Sequence, residues 1–139
     1  MVTGSEAVES CVKAARKWAY LKKGVPTDEA WILTTDHCYH GVTLATMCLS
    51  NHIADRKLMQ TLHTLLDKNV DQTDFGKHVA NVGPFGPRSG RLIRYGHIED
   101  LQAVLEESGH QIAAFLIEPV QGYAGYELSA HIHASCSHH

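Results

Sequence analysis

An α/β fold with a mostly parallel sheet and flanking helices follows from three observations. Two apolar runs of strand length, Trp31–Thr34 and Ile112–Ile117, lack the alternation of a half-solvated strand, as strands covered on both faces do. Helical periodicity sits beside them, with Val8, Cys11, Ala15 and Trp18 in one segment and Leu101, Val104 and Leu105 in another. Strand and helix alternate along the chain, the order that builds a parallel sheet.

The 139 residues suffice for one small domain with a single core. A net charge of -3 from 12 basic and 15 acidic residues gives no basic face, so nothing points to nucleic acid or to a membrane surface. No window approaches the roughly 18 apolar residues of a membrane span, and no signal peptide opens the chain. Four cysteines without CxxC spacing, Cys11, Cys38, Cys48 and Cys136, read as thiols of a reducing compartment, so a cytoplasmic location is expected. Membership of a folded, soluble class is the expectation.

The first helix is read from about Ser5 to Leu21. Thr3 is its N-cap and Glu6 completes a capping box; Lys22, Lys23 and Gly24 stop it. Trp31–Thr34 is the first buried strand, and the polar stretch Thr35 to Gly41 is the loop at its carboxyl end. Thr43–Ser50 reads as a helix. Leu58, Leu62, Leu65 and Leu66 fall at helical spacing inside the less regular 52–80 stretch. Gly83-Pro84-Phe85-Gly86-Pro87 reads as a rigid loop, Leu92–Tyr95 as a strand, and Ile98–Ser108 as a helix stopped by Gly109. Ile112–Ile117 is the clearest buried strand and runs into Glu118-Pro119-Val120-Gln121-Gly122. A phosphate-binding helix ordinarily follows a strand that positions it, and none precedes this first helix, so a fragment is expected.

Three of these places offer complementary chemistry. The amides of Gly4 and Ser5, with the Ser5 hydroxyl and the positive end of the helix dipole, form a seat for an anion. Tyr39 offers an aromatic face beside His40. Glu118 and Gln121 put a carboxylate and an amide at a strand end, where ligands gather in open α/β sheets. A flat aromatic phosphate ester would use all three. Each feature also has a plainer reading: a capped helix that binds nothing, a strand-end aromatic, a common strand exit. Cys38 and His40 are also residue types that ligate metals or attack carbonyls.

The stretches TGSEA, ARKWAYLKKG, CYHGVTL, GPFGP and FLIEPVQGYAG, in that order, resemble the class III pyridoxal-phosphate aminotransferases, and among them the ornithine aminotransferases. The resemblance covers roughly residues 1–51 and 81–125. It implies part of the large domain of a fold-type I enzyme, a homodimer with the site at the subunit interface, amino-acid and 2-oxo-acid substrates, and pyridoxal 5'-phosphate as cofactor. Gly4 and Ser5 match the positions that hold the cofactor phosphate, Tyr39 the residue stacked on the pyridine ring, His40 its neighbour in the same loop, and Glu118 the glutamate of the EPxQG motif.

The chain also departs from the family. Val42 stands where arginine usually meets a substrate carboxylate, and Tyr123 where a glutamate usually stands. Both charges are absent, so the resemblance does not carry substrate choice with it. The family's aspartate beside the pyridine nitrogen and its Schiff-base lysine lie past the matched region, and Lys13, Lys17, Lys22 and Lys23 match neither. Residues 1–125 therefore read as a partial large domain with 52–80 as a divergent insert. Residues 126–139 read as an unrelated His-rich tail, whose His131, His133, Cys136, His138 and His139 are metal-ligand types or a solvated end. Two readings result: a truncated aminotransferase polypeptide inactive alone, or a non-catalytic α/β remnant acting as a binding module.

Overall fold

The computed structural model describes residues 1–50, 80–122, 124–125 and 127–128. Helix α1 (Gly4–Trp18) begins where the capping chemistry places it. Thr3 is extended, its Oγ1 accepts the Glu6 N–H at 3.2 Å, and the Glu6 carboxylate accepts the Val2 and Thr3 N–H groups at 2.6 and 2.9 Å. Those two bonds hold the Glu6 carboxyl below the usual carboxylate range. The last turn widens to a π-type turn over Ala19–Lys23 and ends on Gly24, whose φ of 77° is left-handed.

The buried stripe of α1 is rotated from the expected one. Val8, Val12, Ala15 and Ala19 face the interior, while Cys11 is exposed and Trp18 half exposed. Both sets satisfy helical spacing; what separates them is that Val12 meets Ile32, Cys48, Leu49 and Val82 in one cluster. Trp18 instead lies under the Lys23 ammonium, 5.9 Å from the ring centre.

Strands β1 (Trp31–Leu33), β2 (Val82–Gly83) and β3 (Ile112–Phe115) form a parallel sheet in the order β2-β1-β3. Ile32 pairs with Val82 and Ala114, and Leu33 with Gly83 and Phe115. Successive side chains alternate across a sheet, and both are buried here. Ile32 joins the cluster with Val12, Cys48, Leu49 and Val82; Leu33 joins Ile93, Val104 and Ile112 on the other face. This two-sided burial is why β1 has no polar alternation. Helix α2 (Leu44–Leu49) follows Thr43, whose hydroxyl donates to Glu9 of α1 at 2.7 Å; the same carboxylate oxygen accepts the Ala45 N–H at 3.3 Å.

Helix α3 (Ile98–Ser108) has the expected bounds, but its inward line is Asp100, Val104 and Ser108, with Leu101 partly buried and Leu105 exposed. Residues 100, 104 and 108 are four apart and share one face. Two expectations fail between β2 and α3. Residues 82–83 are strand, where a loop beginning at Gly83 was expected. Leu92–Tyr95 is not a strand: Leu92 makes only an isolated bridge to Phe85, and Ile93 N–H donates to Pro84 O at 2.8 Å. The segment is held instead by Asp100, whose carboxylate takes Arg91 Nε at 3.1 Å and Arg94 Nε at 2.6 Å. Strand β3 stops at Phe115, two residues early. Beyond it, β4 (Val120–Gln121) pairs antiparallel with β5 (Glu127–Leu128), a hairpin the sequence reading did not contain. The helical spacing of residues 58–66 and the tail 131–139 lie outside the described residues.

Candidate functional site

The site forms where β1 and β3 end. After Leu33 the chain runs on through Thr34, whose N–H donates to Gly83 O at 3.0 Å, and turns at His37 with φ 53°. The turn brings Cys38 inward, its thiol 3.1 Å from the Leu49 carbonyl. It leaves Tyr39 half exposed, buries His40, and reaches Gly41 at φ 120°.

Position 41 favours glycine on two counts. The backbone angle disfavours any L side chain, and a Cβ there would collide with Ser5 Oγ and lie 2.9 Å from Thr46 Oγ1. The first turn of α1 therefore sits against the loop that carries Tyr39. At Gly4 a Cβ would meet nothing within 4 Å, so the face of the helix start is open. The amides of Gly4 and Ser5 have no intrahelical acceptor, whereas that of Glu6 is taken by Thr3.

On the other side, Tyr39 N–H donates to Glu118 Oε1 at 2.6 Å, a short bond to a carboxylate. Gln121 is fully buried, and its amide donates to Asp36 O at 2.7 Å and Thr35 Oγ1 at 3.1 Å. Tyr95 N–H donates to Asp36 Oδ1 at 2.7 Å, and its hydroxyl to Pro119 O at 2.9 Å and Glu118 O at 3.2 Å. The 34–41 loop and the 116–122 loop are thus tied at three points.

Of the residues singled out from sequence, Ser5, Tyr39 and Glu118 come together at this edge, and Gly4 adjoins it. His40 shares the loop but turns into the interior. Its N–H donates to Ser50 Oγ at 2.9 Å, its Nε2 is buried, and burial lowers its pKa from 6.5 to about 4. It is neutral at pH 7. Val42 is exposed. Sequence reading did not single out Asp36 and Tyr95, and took Gln121 only as the amide beside Glu118. Gln121 stood inside the EPVQG stretch; Tyr95 carried no signal beyond a supposed strand. Among the described residues no group of three or more His, Cys, Asp or Glu side chains is gathered to hold a metal, and no helix is long and apolar enough to cross a membrane.

Residues 1–134 match the family model described as aminotransferase class III. The ornithine aminotransferase of Schizosaccharomyces pombe is 40% identical over 126 residues, which are 90% of this chain and 25% of that protein. The ornithine aminotransferase of Saccharomyces cerevisiae is also 40% identical over 126 residues, 90% of this chain and 26% of that one. Among solved structures, the Toxoplasma gondii ornithine aminotransferase, crystallised with partial occupancy of PLP at its active site, superposes with a TM-score of 0.60 at 31% identity, over 99% of this chain and 28% of that one. The chain thus spans about a quarter of the length of the curated relatives it matches. The family model covers residues 1–134 of the 139, and the chain belongs to the class III aminotransferases.

Proposed function

We propose that this chain is the part of an ornithine-aminotransferase-like large domain that seats the phosphate and the ring of pyridoxal phosphate. The observation that carries the reading is the packing of Ser5 on Gly41, which sets the open start of α1 beside the Tyr39 loop. The residues present fit the group. At Gly4 no side chain covers the start of the helix, where two amides and the positive end of the dipole lie, and the Ser5 hydroxyl stands beside them against Gly41. Tyr39 supplies a half-exposed ring. Glu118 fixes the backbone of that ring's residue.

Bound pyridoxal phosphate supplies the electron sink with which an amino group moves between an amino acid and a 2-oxo acid. The described residues at this edge bind and orient the cofactor. Lys13, Lys17, Lys22 and Lys23 lie on α1 or its last turn. Lys23 Nζ is spent on the carbonyls of Gly109 and Ile112, at 2.6 and 2.7 Å, at the opposite end of β3 from Glu118. Lys57, Lys68 and Lys77 lie outside the described residues. On the lysines described, the 139 residues alone are expected to bind cofactor non-covalently and not to turn over ornithine with 2-oxoglutarate. In the family's full architecture the same edge would meet a partner subunit, and the substrate would be an amino acid such as ornithine giving up its δ-amino group. Val42 offers a substrate carboxylate no cation. The thiol state of Cys11, Cys38 and Cys48 suits the cytoplasm.

The test is a set of substitutions at the seat, read by pyridoxal phosphate titration. Gly4→Ala keeps the fold and most of the affinity, because its Cβ meets nothing. Gly4→Val places branched carbon over the amides and weakens binding by about tenfold or more, while Ser5→Ala loses one hydrogen bond, worth roughly fivefold. Equal affinity for all four proteins, or turnover of even ~1 s⁻¹ by the chain alone, contradicts the reading.

A further inference from the structure

We propose that Tyr95 is a positioning residue that holds Tyr39 in place through Glu118. The proposal rests on the reading above, in which Tyr39 covers the cofactor ring, and extends it to a residue remote from the ring.

The chain leaves β3 at Phe115 and must present the Glu118 carboxylate to Tyr39. The sheet cannot hold it there. The last bond between β3 and its neighbour is Leu116 N–H to Leu33 O at 2.8 Å, and Pro119 has no N–H to donate. The carbonyls of Glu118 and Pro119 lie outside both strands and take their donor from elsewhere. Tyr95 is that donor: one hydroxyl reaches the carbonyls of Pro119 at 2.9 Å and Glu118 at 3.2 Å.

Tyr95 is itself fixed from two sides. Asp36 N–H donates to Ile93 O at 2.9 Å, and Tyr95 N–H returns to Asp36 Oδ1 at 2.7 Å. Next to it, Arg94 is locked on the buried Asp100, with Nε 2.6 Å from Oδ2 and Nη2 3.2 Å from Oδ1. Rigid on its own segment, the Tyr95 side chain sets the height of residues 118–119. That height fixes where the Glu118 carboxylate meets the Tyr39 N–H, 2.6 Å away. Gln121 makes a parallel tie to Asp36 and Thr35, but from the far side of Pro119, so it does not replace the Tyr95 bond.

The experiment is amide hydrogen exchange at Tyr39 in the full 139-residue chain, without cofactor. Tyr95→Phe removes only the hydroxyl. It should speed exchange at the Tyr39 amide by about fivefold, the weight of one hydrogen bond, and leave the amides of α1 unchanged. Glu118→Ala should release the same amide outright. In the Glu118→Ala background, Tyr95→Phe should then have no further effect on Tyr39, since the carboxylate that transmits it is gone. Glu118→Gln, which keeps an acceptor oxygen, should restore most of the protection. Unchanged exchange at Tyr39 in Tyr95→Phe overturns the proposal. So does an effect of equal size with and without Glu118, or acceleration spread evenly over α1 and the sheet. The readout needs no cofactor: loss of pyridoxal phosphate binding with this pattern intact would fail the cofactor reading and leave the Tyr95 role standing.

Discussion

His40 lies one residue from the exposed Tyr39 yet is 9% exposed, with its Nε2 buried. Burial lowers its pKa from 6.5 to about 4, which makes the fold pH-sensitive in a definite direction. Between those values the unfolded chain binds a proton at His40 that the folded chain refuses, so this residue's contribution to stability falls as pH falls from about 6.5 to about 4 and is level above that window. The full difference is on the order of 3 kcal/mol. His40→Gln, neutral throughout, should flatten this part of the curve; denaturant midpoints at pH 7, 5.5 and 4.5 for both proteins measure it. Parallel curves would show that the histidine is solvated. The sequence placed His40 correctly in the Tyr39 loop but said nothing of its burial, because polar residues before a glycine look alike whether they face water or the core. Cys11 failed in the opposite sense. Its spacing with Val8 and Ala15 is helical, but so is that of Val12, and only the shape of the sheet beneath decides between them.

Among elements, α3 shows what periodicity can and cannot give. Its bounds were readable from Leu101, Val104 and the stop at Gly109, but a charged residue on its buried line was not. Asp100 is 2% exposed and holds Arg91 and Arg94, both about half exposed. Hydrogen bonds from Arg94 and then Arg91 outweigh the cost of burial and keep its carboxyl far below the usual carboxylate range. Because the folded pKa is depressed, the contribution is complete above the ordinary value of 3.8 and is lost as pH falls below it. Asp100→Asn should cost about 2 kcal/mol at pH 7, less than a fully buried pair because the arginines can turn to water. The loss should shrink toward pH 2.5, and thermal melts at the two pH values check both points. The same clip explains why Leu92–Tyr95, rich in strand formers, is not a strand: an ion pair to α3 replaces the ladder, and propensity in a four-residue run yields to it. Strand β2 was hidden for a different reason. It is two residues long, and its Gly83 is followed by Pro84, a pair that reads as a turn.

Over the whole molecule, the legible part was the α/β class, the parallel sense of the sheet, and the three stretches that meet at its carboxyl edge. Each rests on local chemistry: a capping box, a two-sided apolar strand, a polar loop ending in glycine. The ties between those stretches, through Tyr95, Asp36 and Gln121, join residues 23 to 86 positions apart. No local pattern announces such pairings. The central claim is that the first turn of α1 and the Tyr39 loop act together as one seat for a phosphate ester with an aromatic ring. Backbone amide shifts on titration test it most directly, with inorganic phosphate and pyridoxal phosphate as the two probes. Both should move the amides of Gly4 and Ser5. Only pyridoxal phosphate should also move Tyr39, His40 and Gly41, with a dissociation constant of roughly 1 mM and no mass gained after borohydride treatment. Shifts that leave Gly4, Ser5 and Tyr39 in place, or micromolar binding captured on a lysine by borohydride, would contradict the account.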